Sequence, residues 1–201
     1  MLTATTSSIR SNISLVDDHL SIPASAYTTF NFASTGQNPL NISDSNTAFT
    51  VVFKAKYLGT NSNRGNFLTV QDSTNLCWST RFGSRENFQA NDTRISQVIG
   101  NSTANWDNGL SYVCGETITA AVRLYKSGST IMSEIFDLTN GTSVSEFSSP
   151  FYSTQIATKI SFFCTFDGAQ GYPLDFYWCY VSPTLLTNSE IQQVVNYNDN
   201  L

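Results

Sequence analysis

Charge is scarce in this sequence. Asp, Glu, Lys and Arg make up 12% of its 201 residues, about half the share usual in a soluble domain. The 10 Lys and Arg are scattered and outnumbered by 15 Asp and Glu, for a net charge of −5. Nucleic-acid binding needs a basic stripe that displaces counterions from phosphates, so that function is excluded. The same balance argues against anionic membrane surfaces. Histidine occurs once, at His19, which leaves little room for imidazole-based nucleophile activation. None of the four cysteines stands in C-x-x-C spacing, so a zinc site has no ligand set. No apolar run approaches the roughly 18 residues of a membrane span. No phosphate-binding glycine loop or dinucleotide fingerprint occurs either.

Met1 is followed by Leu-Thr-Ala-Thr-Thr-Ser-Ser, which is not a secretory leader. Two settings account for this: an extracellular domain given an initiating Met, or a protein that leaves a cytoplasm inside a particle such as a phage virion. The expected location is extracellular or on a virion surface.

What the chain does have is aromatic and apolar. Phe, Tyr and Trp reach 13% and the apolar fraction 40%, enough for a real core and suited to pleated, half-buried surfaces. Ser, Thr and Asn take the place of charge, as in secreted lectins, adhesins and virion surface proteins. The length fits one domain over 1–201, with the Thr/Ser-rich residues 1–12 frayed or extended.

Strand signals recur at short intervals. Ser14–Ile22 reads as a first strand ending at Pro23. Phe49–Tyr57 alternates, with Val51, Phe53, Ala55 and Tyr57 on one face and Lys54 and Lys56 on the other. Asn66–Val70, Leu76–Phe82, two short strands in Phe88–Ile99, Glu116–Tyr125, Thr130–Asp137, Ser161–Phe166 and Leu174–Val181 follow. In Glu116–Tyr125 the inward set is Ile118, Ala120, Val122 and Leu124. Turns fall at Lys126–Ser129 and Asn140-Gly141. Many short strands between turns indicate a sandwich or barrel. The only helix begins after Pro183: Thr187 and Glu190 form a capping box, Leu186 and Ile191 a hydrophobic staple, and Ile191, Val194 and Val195 line one face. The fold class is therefore all-β, a two-sheet antiparallel sandwich closed by one short C-terminal helix.

The order of these elements resembles the laminin G-like, or concanavalin A-like, jelly-roll superfamily. The likeness rests on Asp17-Asp18 and Ile22-Pro23, on Ala48–Gly59, Phe67–Gly83 and Thr117–Val144, and on Leu174–Asn198. In the last stretch Asp175, Leu185-Leu186 and Ser189-Glu190-Ile191 match the acidic strand, turn and helix start of such domains. The resemblance covers about residues 14 to 198 and implies sugar or protein-surface binding, although a fold does not fix a function.

The same superfamily houses retaining glucanases, which need two carboxylates about 5–5.5 Å apart. The nearest candidate pair is Glu134 and Asp137, but residues three apart on a strand point to opposite faces. Glu116 and Glu146 stand alone. His19 reads as a solvated strand-end residue. The chain is expected to have no catalytic residues and not to be an enzyme.

A sugar site combines a ring under the sugar's apolar face with side chains that grip its hydroxyls. Trp106 is the first candidate, in the polar stretch Asn101–Gly109 and flanked by Asn105, Asp107 and Asn108. Its other reading is a cover over the sandwich end. Arg81, opposite Trp78 on its strand, is a further hydroxyl-gripping candidate or a solvated arginine, whereas Trp78 itself suits core packing. Both faces of Phe176–Val181 are apolar, and coverage of Trp178 by the C-terminal helix accounts for one of them.

Cys164 and Cys179 would be neighbours, and open to a disulfide, if their two strand-like runs pair; the bland reading is buried thiols. Calcium is common in the resembled superfamily, and Asp72, Asp107 and Asp167 are oxygen donors, yet no regular acidic spacing defines a metal site. Asn12, Asn41, Asn91, Asn101 and Asn140 each begin an Asn-X-Ser/Thr sequon.

The expected function is a non-catalytic carbohydrate-binding module for cell-surface glycans. It would belong to a phage tail or baseplate, or to a secreted bacterial surface protein, with other virion or surface subunits as partners. A decoration subunit that contacts only protein is the alternative, and a glycoside hydrolase the third.

Overall fold

The computed structural model describes residues 6–10, 14–23, 27–31, 47–58, 64–71, 76–84, 93–99, 110–111, 115–150, 159–162 and 173–200, with side-chain surroundings over 14–23, 47–58, 67–68, 110, 115–143 and 173–200. The strands are β1 (Thr6–Arg10), β2 (Ser14–Val16), β3 (His19–Ile22), β4 (Tyr27–Asn31), β5 (Ala48–Tyr57), β6 (Arg64–Gln71), β7 (Leu76–Ser84), β8 (Thr93–Ile99), β9 (Leu110–Ser111), β10 (Thr117–Ser127), β11 (Thr130–Asp137), β12 (Thr142–Pro150), β13 (Lys159–Phe162) and β14 (Leu174–Ser182), followed by helix α1 (Asn188–Asn198).

They form two seven-stranded sheets. The first runs β1-β4-β13-β6-β7-β8-β9 and the second β12-β11-β10-β5-β14-β3-β2, and every ladder described is antiparallel. The fold class is the expected one, an antiparallel β-sandwich with one short helix. Early and late segments interleave in both sheets: β13 lies between β4 and β6, and β14 between β5 and β3.

The sheets meet through the inward residues of the second sheet. Val51, Phe53, Ala55 and Tyr57 of β5 and Ile118, Ala120, Val122 and Leu124 of β10 are buried, as their alternation implies. Across the sandwich Phe53 stacks on Phe67 of β6 at 4.3 Å, and Phe67 meets Phe176 of β14 at 6.0 Å. Burying large rings at this spacing drives the two faces together, each ring removing a large apolar area from water.

The outer face of the second sheet carries α1. Val52 of β5 and Ala121 of β10 form a buried cluster with Ile191 and Val195, joined by Phe136, Leu138, Trp178, Leu186 and Val194 at its margin. The capping box is complete: Thr187 Oγ1 accepts from the Glu190 N–H, and Glu190 Oε2 accepts from the Thr187 N–H. Thr50 of β5 fixes the approach, its hydroxyl donating to Thr184 O and accepting from Leu186 N–H.

The described residues refine four expectations. Ser14–Ile22 is two strands, because the chain turns at Asp17-Asp18 with Val16 opposite His19 and Asp17 at φ 50; aspartate is among the few side chains that tolerate that region. Within residues 1–12, Thr6–Arg10 is paired with β4 along its length. In Phe88–Ile99 the described part is one strand, β8. Of the run that holds Cys164 only β13 is described, and it lies in a different sheet from β14, each pairing with earlier strands.

β14 also departs from simple alternation. Phe176 is opposite Ala55 and Trp178 opposite Lys54, leaving Tyr177 as an extra residue. This bulge sends Tyr177 and Trp178 outward together and keeps Phe176 and Cys179 inward. Two apolar faces on one strand are thus accounted for by a bulge as well as by the helix.

Candidate functional site

Trp106, Asn105, Asp107 and Asn108 lie outside the described residues. So do Cys164, Asp72 and Asp167. Arg81 sits on β7, in register with Asn66 of β6 and Ser96 of β8; its side chain, like that of Trp78, is outside the described set. Cys179 is a free thiol, opposite Phe53, and burial pushes its pKa up to about 12. Among the described residues no group of three or more His, Cys, Asp or Glu is placed to hold a metal.

The described side chains with binding chemistry gather on the outer face of the second sheet, at the two ends of α1. At the helix C-terminus, Asp199 Oδ1 accepts from Lys54 Nζ at 2.9 Å and from Trp178 Nε1 at 3.0 Å. Burial opposes the Asp199 charge, but these hydrogen bonds and the Lys54 charge outweigh it and hold its pKa below the usual carboxylate value. Lys54 also lies 5.6 Å over the Tyr177 ring. His19 packs on the same ring at 5.1 Å, with Nδ1 3.2 Å from Asp18 and Nε2 3.5 Å from Asp175. Lys56 stands 4.0 Å from the other Asp175 oxygen. His19 is therefore not the solvated residue expected; the Asp17-Asp18 turn folds it onto β14, and only 16% of its side chain is exposed.

At the helix N-terminus, a cleft of about 350 Å³ opens between Arg123, Tyr125, Glu134 and the segment Leu185–Asn188. Arg123 and Glu134 are cross-strand partners on β10 and β11. Arg123 Nη1 donates to Glu134 Oε2 at 3.2 Å, its Nη2 donates to Asn188 Oδ1, and its guanidinium lies 4.6 Å over the Phe136 ring. Tyr125 Oη approaches Glu134 Oε1 at 3.5 Å. Arg123 Nε is buried with no hydrogen-bond partner among the described residues, an uncompensated donor of a kind that is rare in folded proteins. Leu185, 45% exposed, supplies an apolar wall.

Pattern reading missed this cleft because Arg123, Tyr125 and Glu134 look like ordinary outward residues of two strands. The available signal was an Arg-x-Tyr on the outward register of a strand otherwise dry, facing a Glu across a Ser-Gly-Ser turn. Glu134 and Asp137 do point to opposite faces. Glu134 faces the cleft, while buried Asp137 accepts from the backbone N–H groups of Thr139 and Asn140, each at 2.9 Å, and from Asn140 Nδ2 at 2.7 Å.

No family model and no curated protein sequence matches this chain. Solved structures do match in fold. The CBM2 module of the evolved Dit of Lactobacillus casei BL23 phage J-1 is 9% identical, covers 86% of this chain and 79% of its own, and has a TM-score of 0.52. A Trypanosoma rangeli sialidase mutant displaying trans-sialidase activity is 12% identical over 96% of this chain and 30% of its own, at 0.62. The botulinum neurotoxin serotype C1 binding domain is 11% identical over 96% of this chain and 47% of its own, also at 0.62. The chain thus spans under a third of that sialidase and about half of that toxin domain. At such identities what is shared is the fold: these are β-sandwich domains, and so is this chain.

Proposed function

We propose that this protein is a non-catalytic glycan-binding module, built as a laminin G-like or concanavalin A-like jelly roll and displayed on a phage virion or a secreted bacterial surface protein. The observation that carries the reading is the likeness to a phage Dit CBM2 module over most of both chains. The sandwiches of a sialidase solved in complex with sialic acid and of the botulinum toxin binding domains support it at the level of fold. The low charge and Ser/Thr/Asn surface agree with it. Trp106, Asn105, Asp107 and Asn108, with Arg81, remain the first candidates for stacking and hydroxyl contacts. Repeated copies on a particle would convert weak single-site binding into firm attachment through effective concentration.

A glycan-array screen tests this. Binding is expected, and Trp106→Ala should weaken it at least tenfold; an array without hits removes the reading. Incubation with β-glucans should release no reducing ends. A second reading, a subunit that contacts only protein, draws on Leu15 and Val16, 75% and 42% exposed on edge strand β2, and on a toxin binding domain solved in complex with rat synaptotagmin II. An array without hits, together with capture by other particle proteins, would favour it.

A further inference from the structure

We infer that the cleft between β10, β11 and the start of α1 is a second sugar site, taking a neutral hexose residue, on the face of the sandwich covered by the helix. This rests on the glycan-binding reading above and assigns it a place among the described residues.

Size comes first. At about 350 Å³ the cleft falls at the lower end of the range of small-ligand pockets, too small for a protein segment and adequate for a sugar unit. Its chemistry is two-sided, as a sugar's is. Its lining joins the apolar Leu185 and Leu186, suited to C–H groups, with the polar side chains of Tyr125, Glu134, Arg123, Thr187 and Asn188.

Charge decides between a neutral and an acidic sugar. Among the described residues lining the cleft Arg123 is the one cation, and it is already committed to Glu134 and Asn188. An incoming carboxylate would meet Glu134 before it met an uncommitted cation, and like charges at short range repel. A hydroxyl pair meets the opposite situation. Each carboxylate oxygen has two acceptor positions, and the described residues fill one on each oxygen of Glu134, through Arg123 and through a long contact from Tyr125. Two acceptor positions therefore remain, on a side chain that is still 21% exposed. The charge-assisted hydrogen bonds they would form are the stronger kind.

The site is also held rigid, which limits the entropy lost on binding. Arg123 is fixed between Glu134, Asn188 and the Phe136 ring. Leu186 and Thr184 are held to β5 through Thr50, and Thr187 is locked in the capping box.

The test uses the full chain and methyl glycosides of glucose, galactose, mannose and N-acetylglucosamine. These are titrated while amide chemical shifts are followed, alongside an array screen of the wild type, Glu134→Gln, Leu185→Arg and Trp106→Ala. At least one glycoside should shift the amides of residues 185–188 and of 123, 125 and 134. Glu134→Gln and Leu185→Arg should each weaken that response at least fivefold. Leu185 is exposed, so its variant guards against misfolding of the Glu134 variant, and both must retain the wild-type thermal transition to count. If the wild type binds glycans but neither variant weakens binding and shifts avoid 185–188, the cleft assignment is overturned and the module reading stands. If the wild type binds no glycan, both fall. A fivefold preference for sialic or glucuronic acid at this cleft would overturn the neutral-sugar assignment.

Discussion

The two faces of the second sheet solve opposite problems with the same strands. Inward, Val51, Phe53, Val122 and Leu124 are dry, and the polar side chains described among them are Ser133 and Asp137, the latter saturated by its own turn. Outward, helix α1 fully buries Val52 and Ala121 in the middle and partly covers Phe136, Leu138 and Trp178, and charged and aromatic side chains fill the two ends it leaves. The inner face is held by area, the outer by specific pairs. A face that is only partly covered keeps room for a ligand, whereas a complete core does not.

The sharpest way to break this contrast is to delete Tyr177. Without the bulge, one half of β14 must turn its core set toward solvent, since a one-residue slip reverses every side chain. We expect a loss of more than about 5 kcal/mol, or no cooperative unfolding at all; a melting curve close to wild type would refute the bulge's role. Next, Phe53→Ala on the inner face should cost about 3–5 kcal/mol in urea unfolding, against about 2 kcal/mol for its neighbour Val52→Ala under the helix. Equal losses would mean that the helix face is as much a core as the inner one. Thr187→Ala should cost about 1 kcal/mol through the lost cap, read by the same titration.

A smaller effect is the response to acid. Hydrogen bonds from the Thr187 backbone and side chain, and the nearby Arg123 charge, hold the Glu190 pKa below its ordinary value despite slight desolvation. Asp199 is lowered as well. Groups depressed in the folded state contribute stability above their unfolded pKa and lose it as pH falls through the folded value. Melting temperature should therefore drop below about pH 4, and Glu190→Gln should flatten part of that drop. Last, Cys179 should resist iodoacetamide at pH 8 until the chain unfolds, because a thiol at about 12 is almost wholly protonated there. Rapid labelling of the native protein at Cys179 would contradict its burial.

Much of this was legible in advance. Period-two alternation fixed the faces of β5 and β10, and the capping box located α1 to the residue, because both are local rules written in adjacent side chains. The β14 bulge, the Asp17-Asp18 hairpin and the cover over His19 were not legible, since each depends on which strand lies alongside. The Arg123–Glu134 cleft was hidden for the same reason: its members come together only through register and the helix approach fixed by Thr50. The Trp106 stretch, the strongest aromatic signal for a site, falls outside the described residues, so its part in binding is a matter for the mutants above.

The threading of late strands between early ones carries a consequence for synthesis. Pairings between residues 20–22 and 174–176, and between 28–31 and 159–162, span most of the polypeptide, a topology associated with slow barrier crossing. A ribosome-bound chain lacking its final fifty residues would hold β3 and β4 with open edges. Such intermediates invite mispairing with neighbours, so yields during recombinant production should respond strongly to lowered temperature and to chaperone supply.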